Sequence, residues 1–465
     1  MASRICSGSA GKSGRHVCIR VGKGAMTTGK PPLSHSWVAG DGPVARLVAR
    51  PVREFMDTEA AGGIVLLATT LVALIWANSP AGGSYERFWS TEFSLQVGSF
   101  RISDDLRHLI NDGLMTVFFF VVGLEIKREL VAGELNDVRR AALPAICALG
   151  GMVVPALIFL AMNAGTDAAP GWGIPMATDI AFAIGVLVVV GRQCPPSLKV
   201  LLLSIAIVDD VGAIIVIAFF YTGQIHVEWL LAVSALAFSM VLIRVVRVWW
   251  TPAYVVVGVA LWYATFESGV HATLVGVALG LLTPALPVDP AGYQDAVREA
   301  GTLADDPSPA RIRATTLQAK ELVSVAERLE HLLHRWSSFA IVPVFALANA
   351  GVSISGAAIK GAATSTVVLG IALGLVLGKL VGISGFAWLA VRLGIGSLPE
   401  DVGWRHVIAI GAIGGIGFTV ALFIADLAFS ANKITDEAKI GILLGSLVAA
   451  VLGWALVRWS TAGSD

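Results

Sequence analysis

Five stretches of this chain run without a charge for about the thickness of a bilayer: Ala60–Tyr85, Ala141–Thr166, Trp336–Ile359, Val407–Ala425 and Ile440–Val457. Roughly 20 apolar residues in a helix cross the hydrocarbon core, where no water satisfies a backbone N–H or C=O, so runs of this length must close their hydrogen bonds within themselves. Composition agrees: 56% of the 465 residues are apolar, only 14% are charged, and mean hydropathy is +0.77. Adding segments with one or two internal charges gives twelve helices, near 60–78, 106–132, 141–163, 172–190, 198–221, 228–246, 250–265, 270–284, 330–353, 363–391, 405–428 and 437–458. The expected fold class is an all-α multi-pass membrane protein. Net charge is zero, which gives nucleic acid no basic footprint to bind.

Lys and Arg orient the bundle. Alternate connections carry Lys127, Arg128, Arg139 and Arg140, then Arg192 and Lys199, then Arg244 and Arg247, then Arg392 and Arg405. The loops between them, at 164–171, 222–227 and 266–269, hold neither residue type. By the positive-inside rule both termini face the cytoplasm. The first external loop is the exception, with Arg87, Arg101 and Arg107; there Phe93, Leu95 and Val97 alternate with polar neighbours, turn at Gly98 and resume at Phe100 and Ile102. That pattern predicts a small external β-hairpin.

Residues 1–45 are rich in Gly, Ser, Lys and Arg and lack an apolar core of the signal-peptide kind. They are expected to form a disordered cytoplasmic tail, with Met26 an alternative start. The membrane domain is expected at 55–459, interrupted by a polar cytoplasmic insert at 289–326, with a short tail at 460–465. Within the insert, Asp-Asp-Pro-Ser-Pro reads as flexible and Leu317–Leu333 as a helical approach to the next span. Cys6, Cys18, Cys147 and Cys194 have neither metal-ligand nor disulfide spacing.

Charges inside the spans carry the functional signal, because one at mid-bilayer costs at least ~2.5 kcal/mol. Asp209 and Asp210 sit in Ala-Ile-Val-Asp-Asp-Val-Gly-Ala (206–213), and Asp179 follows Pro175 and Thr178 in the segment before. Pro175 removes a backbone donor, which predicts a broken helix lining a watery cavity; a simple Pro-kinked helix is the alternative. Adjacent helical residues diverge by about 100°, so Asp209 and Asp210 face different partners. A buried carboxylate able to hold either a proton or a cation is the chemical basis of exchange. Lys379, deep in Leu-Val-Leu-Gly-Lys-Leu-Val-Gly (375–382), needs a buried aspartate as partner unless it reaches the cytoplasmic surface.

Ile-Gly-Ala-Ile-Gly-Gly-Ile-Gly-Phe-Thr (410–419) predicts close packing or a second interrupted helix. Segments 141–221 and 363–458 then both break in their middle helix, as two inverted repeats would. At the cytoplasmic end of the second helix, Glu125, Arg128 and Glu129 share a face, and so do Glu330, His331 and His334 at the start of the ninth. Histidines titrate between pH 5 and 8, so this is either a pH sensor or a pair of ordinary solvated helix ends. Zinc on His331 and His334 lacks a third ligand. His271 begins the eighth span and reads equally as an interfacial side chain.

Ala-Thr-Asp-Ile-Ala-Phe-Ala (177–183), Ile-Val-Asp-Asp-Val-Gly-Ala-Ile (207–214), Ser-Gly-Val-His-Ala-Thr-Leu (268–274), Arg-Leu-Glu-His (328–331), Phe-Ala-Leu-Ala-Asn-Ala-Gly-Val (345–352) and Gly-Ile-Gly-Phe-Thr (415–419) together resemble the bacterial NhaA sodium/proton antiporters, in order, from about Phe55 to Trp459. The inverted-repeat rule used above rests in part on that same family. The resemblance implies that Asp210 and Asp179, with Thr178 beside them, are the sodium site, and that Asp209 pairs with Lys379. It assigns Glu125, Arg128, Glu129, Glu330, His331, His334 and His271 to pH response. It implies electrogenic export of Na⁺ or Li⁺ for a larger number of protons across the bacterial inner membrane. No cofactor or enzyme chemistry is implied, and a homodimer through the hairpin is usual for the family. The tail, the insert and Asp426 depart from the usual pattern. An intramembrane aspartyl protease using Asp179 and Asp210, or a sodium-coupled symporter, are the rival readings; the first leaves Lys379 unexplained and the second lacks a visible substrate signature.

Overall fold

The computed structural model describes residues 60–461 apart from 98–99, 191–193, 224, 247–250, 286–307, 354–360 and 430–431, together with Met56 and Thr58. The 1–45 tail, the first half of the polar insert (289–307) and the hairpin's turn lie outside the described residues. What remains is almost all helix. Among the described residues, seven helices are long and apolar enough to cross a membrane, and a bent pair makes an eighth. Each of the twelve regions marked by the sequence carries a helix, several of them short.

In chain order these are α1 (Ala61–Asn78), the short α2 (Gly82–Trp89), a hairpin of β1 (Glu92–Val97) and β2 (Phe100–Asp105), then α3 (Leu106–Ala132) and α4 (Val138–Asn163). A 3₁₀ segment, Ala169–Met176, is followed by α5 (Ile180–Val190) and α6 (Pro196–Phe220). Three apolar helices follow: α7 (Val227–Val245), α8 (Thr251–Glu267) and α9 (Thr273–Leu282). After the insert come α10 (Pro309–Glu321), α11 (Val325–Trp336) and α12 (Val342–Asn349). The last group is α13 (Thr366–Arg392), α14 (Trp404–Ile413), α15 (Phe418–Ala428) and α16 (Asn432–Thr461).

The hairpin is antiparallel and pairs Glu92 with Asp105 through to Val97 with Phe100. Asp105 ends it and caps α3, its carboxylate accepting from the His108 N–H at 2.7 Å. The hairpin therefore sits directly on the entrance of α3 and marks one end of the bundle.

Two sequence expectations shift. The flexible Pro-Ser-Pro reading gives way at Ser308: its hydroxyl accepts from the Arg311 N–H and Pro309 occupies the first helical position, so α10 starts there. Proline has no N–H to lose at that position, and its fixed φ suits a helix start. Likewise the ninth span does not begin at 330. Ser324 caps a polar helix, α11, that runs without a break through the π-turn Ser337–Ile341 into α12, and the apolar residues start at that π-turn. Leu332 and Leu333 are apolar enough to blur that boundary, but α11 turns Leu332 outward and buries Glu330.

The core lies around α14 and α15, where every residue from 409 to 425 is buried. In contrast α7 and α8 expose Phe238, Val256 and Val259, as helices facing lipid tails can. Close packing of α4 on α13 depends on glycine: a Cβ on Gly382 would lie 2.2 Å from the Gly150 carbonyl oxygen. That contact seats Lys379, one turn earlier on α13, against the middle of α4.

Candidate functional site

Two breaks meet at the centre of the bundle. Pro170 and Pro175 leave Ala169–Met176 as 3₁₀ helix, and the chain runs extended through Ala177 before α5 begins. The second break, Gly414–Gly417, separates α14 from α15 with a 45° bend. The breaks bond directly to each other, the Asp179 N–H donating to the Ile416 carbonyl at 2.6 Å. A Cβ on Gly417 would sit 2.8 Å from the Ala177 carbonyl oxygen, so this crossing requires glycine.

Each break frees helix-end groups that hydrocarbon cannot solvate, and a helix N-terminus carries roughly +0.5 of a charge. Asp179 answers two such ends at once. One carboxylate oxygen accepts from the Phe182 N–H at 3.0 Å, in the first turn of α5. The other accepts from the Thr419 N–H at 3.2 Å and the Thr419 hydroxyl at 2.7 Å, in the first turn of α15. The opposite sign is answered by Thr178 and Lys379. The Thr178 hydroxyl lies 2.9 Å from the Gly414 carbonyl, at the end of α14, and 2.8 Å from the Asp209 carboxylate. The Lys379 ammonium donates to Thr178 at 3.0 Å and to Asp209 Oδ2 at 2.6 Å, with both charged side chains fully buried.

Asp210 is different. It is buried, its Oδ1 has no hydrogen-bond partner, and it lies within the field of Asp209, Glu125 and Asp179. Buried polar atoms are almost always partnered, and Asp209 Oδ1 is an orphan as well; what sets Asp210 apart among the described residues is that neither a lysine nor a hydroxyl bonds to it as Lys379 and Thr178 do to Asp209 Oδ2. Asp209 and Asp210 thus diverge as their angular separation on α6 requires, and Asp209 is the one that meets the lysine.

At the far end of α3 from the hairpin, Arg128 reaches both Glu330 and, at 3.4 Å, Glu129. His334 Nδ1 lies 3.5 Å from Glu125. That carboxylate holds the histidine's proton more tightly and moves its pKa up. Burial pushes the Glu330 carboxyl up against the pull of Arg128. His331, although next to Glu330 in sequence, is exposed and stands outside these pairs. His271 is not brought to this cluster. Its Nε2 lies 2.5 Å from the Tyr221 carbonyl and so must donate to it, closing the C-terminal end of α6. Tyr221 in turn holds the 3₁₀ segment, donating to the Pro170 carbonyl at 2.7 Å.

The sequence profile of the Na⁺/H⁺ antiporter 1 family matches residues 53–457. The chain belongs to this family. It is 46% identical over 411 residues to "Na(+)/H(+) antiporter NhaA 3" of Frankia alni, covering 88% of this chain and 89% of that one. It is 45% identical over 419 residues to "Na(+)/H(+) antiporter NhaA" of Rhodopirellula baltica, covering 88% and 94%. Among solved structures, a sodium proton antiporter from Methanocaldococcus jannaschii matches with a TM-score of 0.46 and 15% identity, over 90% of this chain and 95% of that one. Family membership therefore agrees with the resemblance carried by the sequence motifs.

Thr419 was missed as a site residue, although the motif that contains it was recognised for its glycines. The signal for it is its place in the first turn after the Gly-rich break, where a hydroxyl lies beside the free N–H groups of a new helix.

Proposed function

We propose that this protein is a Na⁺/H⁺ antiporter of the inner membrane that exports Na⁺ or Li⁺ in exchange for a larger number of protons. The observation that carries this is the buried, unpartnered oxygen of Asp210 in the field of Asp179, beside a crossing of two broken helices. Asp210 and Asp179 form the cation site with Thr178 at its edge. Asp209 and Lys379 form the fixed pair that holds α6 to α13. A carboxylate cannot hold a proton and a cation together, so release of one accompanies uptake of the other. Broken helices provide the change of access, because their ends are tied by hydrogen bonds that can re-form in a second arrangement.

The test is proton movement in everted vesicles loaded with a pH-sensitive dye. Added Na⁺ or Li⁺ should dissipate a preformed proton gradient, and clamping the membrane potential should change the rate, as unequal charge exchange requires. If neither cation has any effect at any pH, with the protein present in the membrane, the reading is wrong. Both termini are proposed to be cytoplasmic, with the hairpin outside and available for homodimer contact.

The pH response is proposed to act through Glu125, which faces His334 and also acts on Asp210. The charged groups around His334 are Glu125, Glu330 and Arg128, and Glu327 adds its charge beside Glu330. Because its pKa is raised, the His334 contact is intact below the ordinary histidine range and is lost as pH rises through the raised value. Alkalinisation then leaves Glu125 uncompensated and makes Asp210 more attractive to a cation. Replacing Glu330 with Gln removes a negative charge that helps hold the His334 proton. The expected result is an activity-versus-pH curve shifted to lower pH, with half-saturation for sodium at the optimum nearly unchanged. An unmoved midpoint with weakened sodium affinity would instead make the cluster part of the ion path.

A further inference from the structure

One face of α15 carries three different devices. Thr419, Phe423 and Asp426 are spaced i, i+4 and i+7, so they lie above one another. Thr419 grips Asp179 at the site. Phe423 packs against Phe119 of α3 at 5.4 Å between ring centroids and against Phe345 of α12 at 6.4 Å. Asp426, nearest the hairpin end, pairs with Lys439 of α16 at 3.0 Å, with side-chain exposures of 18% and 9%. Its other oxygen accepts from Asn111 of α3 at 3.2 Å. Asn111 is itself held by Asn349 of α12, whose amide donates to it at 2.7 Å. Phe345 and Asn349 share a face of α12 in the same way, four residues apart.

Asp426 and Lys439 belong to the segment containing the second break, whereas Asn111 and Asn349 belong to helices outside both broken segments. The hydrogen bond from Asn111 to Asp426 therefore crosses the boundary that must part if α15 is to move away from α3 and α12. Beneath it the three phenylalanines close the same boundary with apolar contact alone, which has no directional hold. We propose that Asp426 and Lys439, clasped by Asn111 and Asn349, are positioning residues that latch the hairpin side of the pathway shut and hold Thr419 over Asp179. Opening on that side requires the clasp between Asp426 and Asn111 to break, while the ion pair with Lys439 travels with α15 and α16.

The proposal rests on the alternating-access reading above, so its test has one arm that needs no transport. Leu422 is buried one turn beneath Asp426. With Leu422→Cys as the reporter and the native cysteines replaced, alkylation by a membrane-impermeant maleimide from the hairpin side should be slow. Adding Asp426→Ser or Asn111→Ala should speed it by about tenfold, as a modest population shift towards the open state would. In oriented proteoliposomes the same variants should lower the hairpin-side half-saturation for sodium and raise the opposite one. Asp426→Glu, which keeps both the charge and an acceptor for Asn111, should keep labelling slow. Unchanged alkylation in the Ser and Ala variants overturns the latch, and so does an equal change of half-saturation on both faces. If labelling responds as expected but the wild-type protein moves no protons against sodium, the antiport reading fails and the latch stands.

Discussion

Asp210→Asn and Asp179→Asn are each expected to abolish sodium-driven proton movement while leaving the protein inserted in the membrane. An amide neither titrates nor neutralises a bound cation, so either change removes the exchange chemistry itself. Insertion should survive, since taking a charge out of an apolar span lowers the cost of burial. The two variants should differ in their side effects. Asp210 has an oxygen without a partner, so its amide disturbs little. At Asp179 both oxygens accept, from the Phe182 N–H on one side and the Thr419 N–H and hydroxyl on the other. An Asn amide must turn its NH₂ towards one set of donors, which loosens a helix end as well. Dye dequenching in everted vesicles measures the first effect and thermal unfolding in detergent the second. Full exchange by either variant at saturating sodium would sink the site assignment, and an Asp210→Asn protein less stable than Asp179→Asn would contradict the geometry.

Thr419 offers a graded version of the same test. Thr419→Ser keeps the hydroxyl that lies 2.7 Å from Asp179, whereas Thr419→Val removes it and leaves the backbone donor. Serine should retain most exchange and valine should lose a large part of it.

Much of this arrangement was legible because the bilayer removes choices. Charge-free runs could only be helices, and Pro175 shortly before an aspartate at membrane depth pointed to a break, with a Pro-kinked helix as the alternative. Neutrality asked only for some buried aspartate as partner to Lys379; that the partner is Asp209 was what the family resemblance implied, and the 2.6 Å contact between them agrees with it. The meeting of the two breaks was not legible. That Asp179 caps α5 and α15 together depends on a hydrogen bond between Asp179 and Ile416, residues far apart in the chain, and no local pattern encodes such a contact. The same limit hid the clasp around Asp426. Read alone, it was an unusual acid near a helix end; Asn111 and Lys439, which bond to it, and Asn349, which holds Asn111, come from three other helices. The histidines divide for a simpler reason. Sequence proximity grouped His331 with His334, but helical rotation turns only His334 towards Glu125.

Lys379→Ala is expected to destabilise the protein markedly, and more than Asp209→Asn does. The lysine is fully buried and donates both to Asp209 and to Thr178, which in turn reaches the end of α14 through the Gly414 carbonyl. Its removal strips Asp209 Oδ2 of its closest donor while Oδ1 already lacks one, so a buried carboxylate is left with only the Thr178 hydroxyl. Breaking a buried pair in this way costs about 3 kcal/mol or more, because the surviving charge is uncompensated. It also leaves a void against Gly151 of α4, where the lysine stem packs. With Asp209→Asn the amide oxygen can still accept from the ammonium, and Lys379 keeps its bond to Thr178, so part of the connection survives. The measurement is the unfolding midpoint in detergent, by tryptophan fluorescence or differential scanning. Lys379→Ala should fall by several degrees, Asp209→Asn by clearly less, and the double variant should lie above the sum of the two, since the pair is lost only once. Additive losses would mean that the two residues do not act as a pair, and equal, negligible losses would mean that the bond contributes nothing to holding α6 against α13.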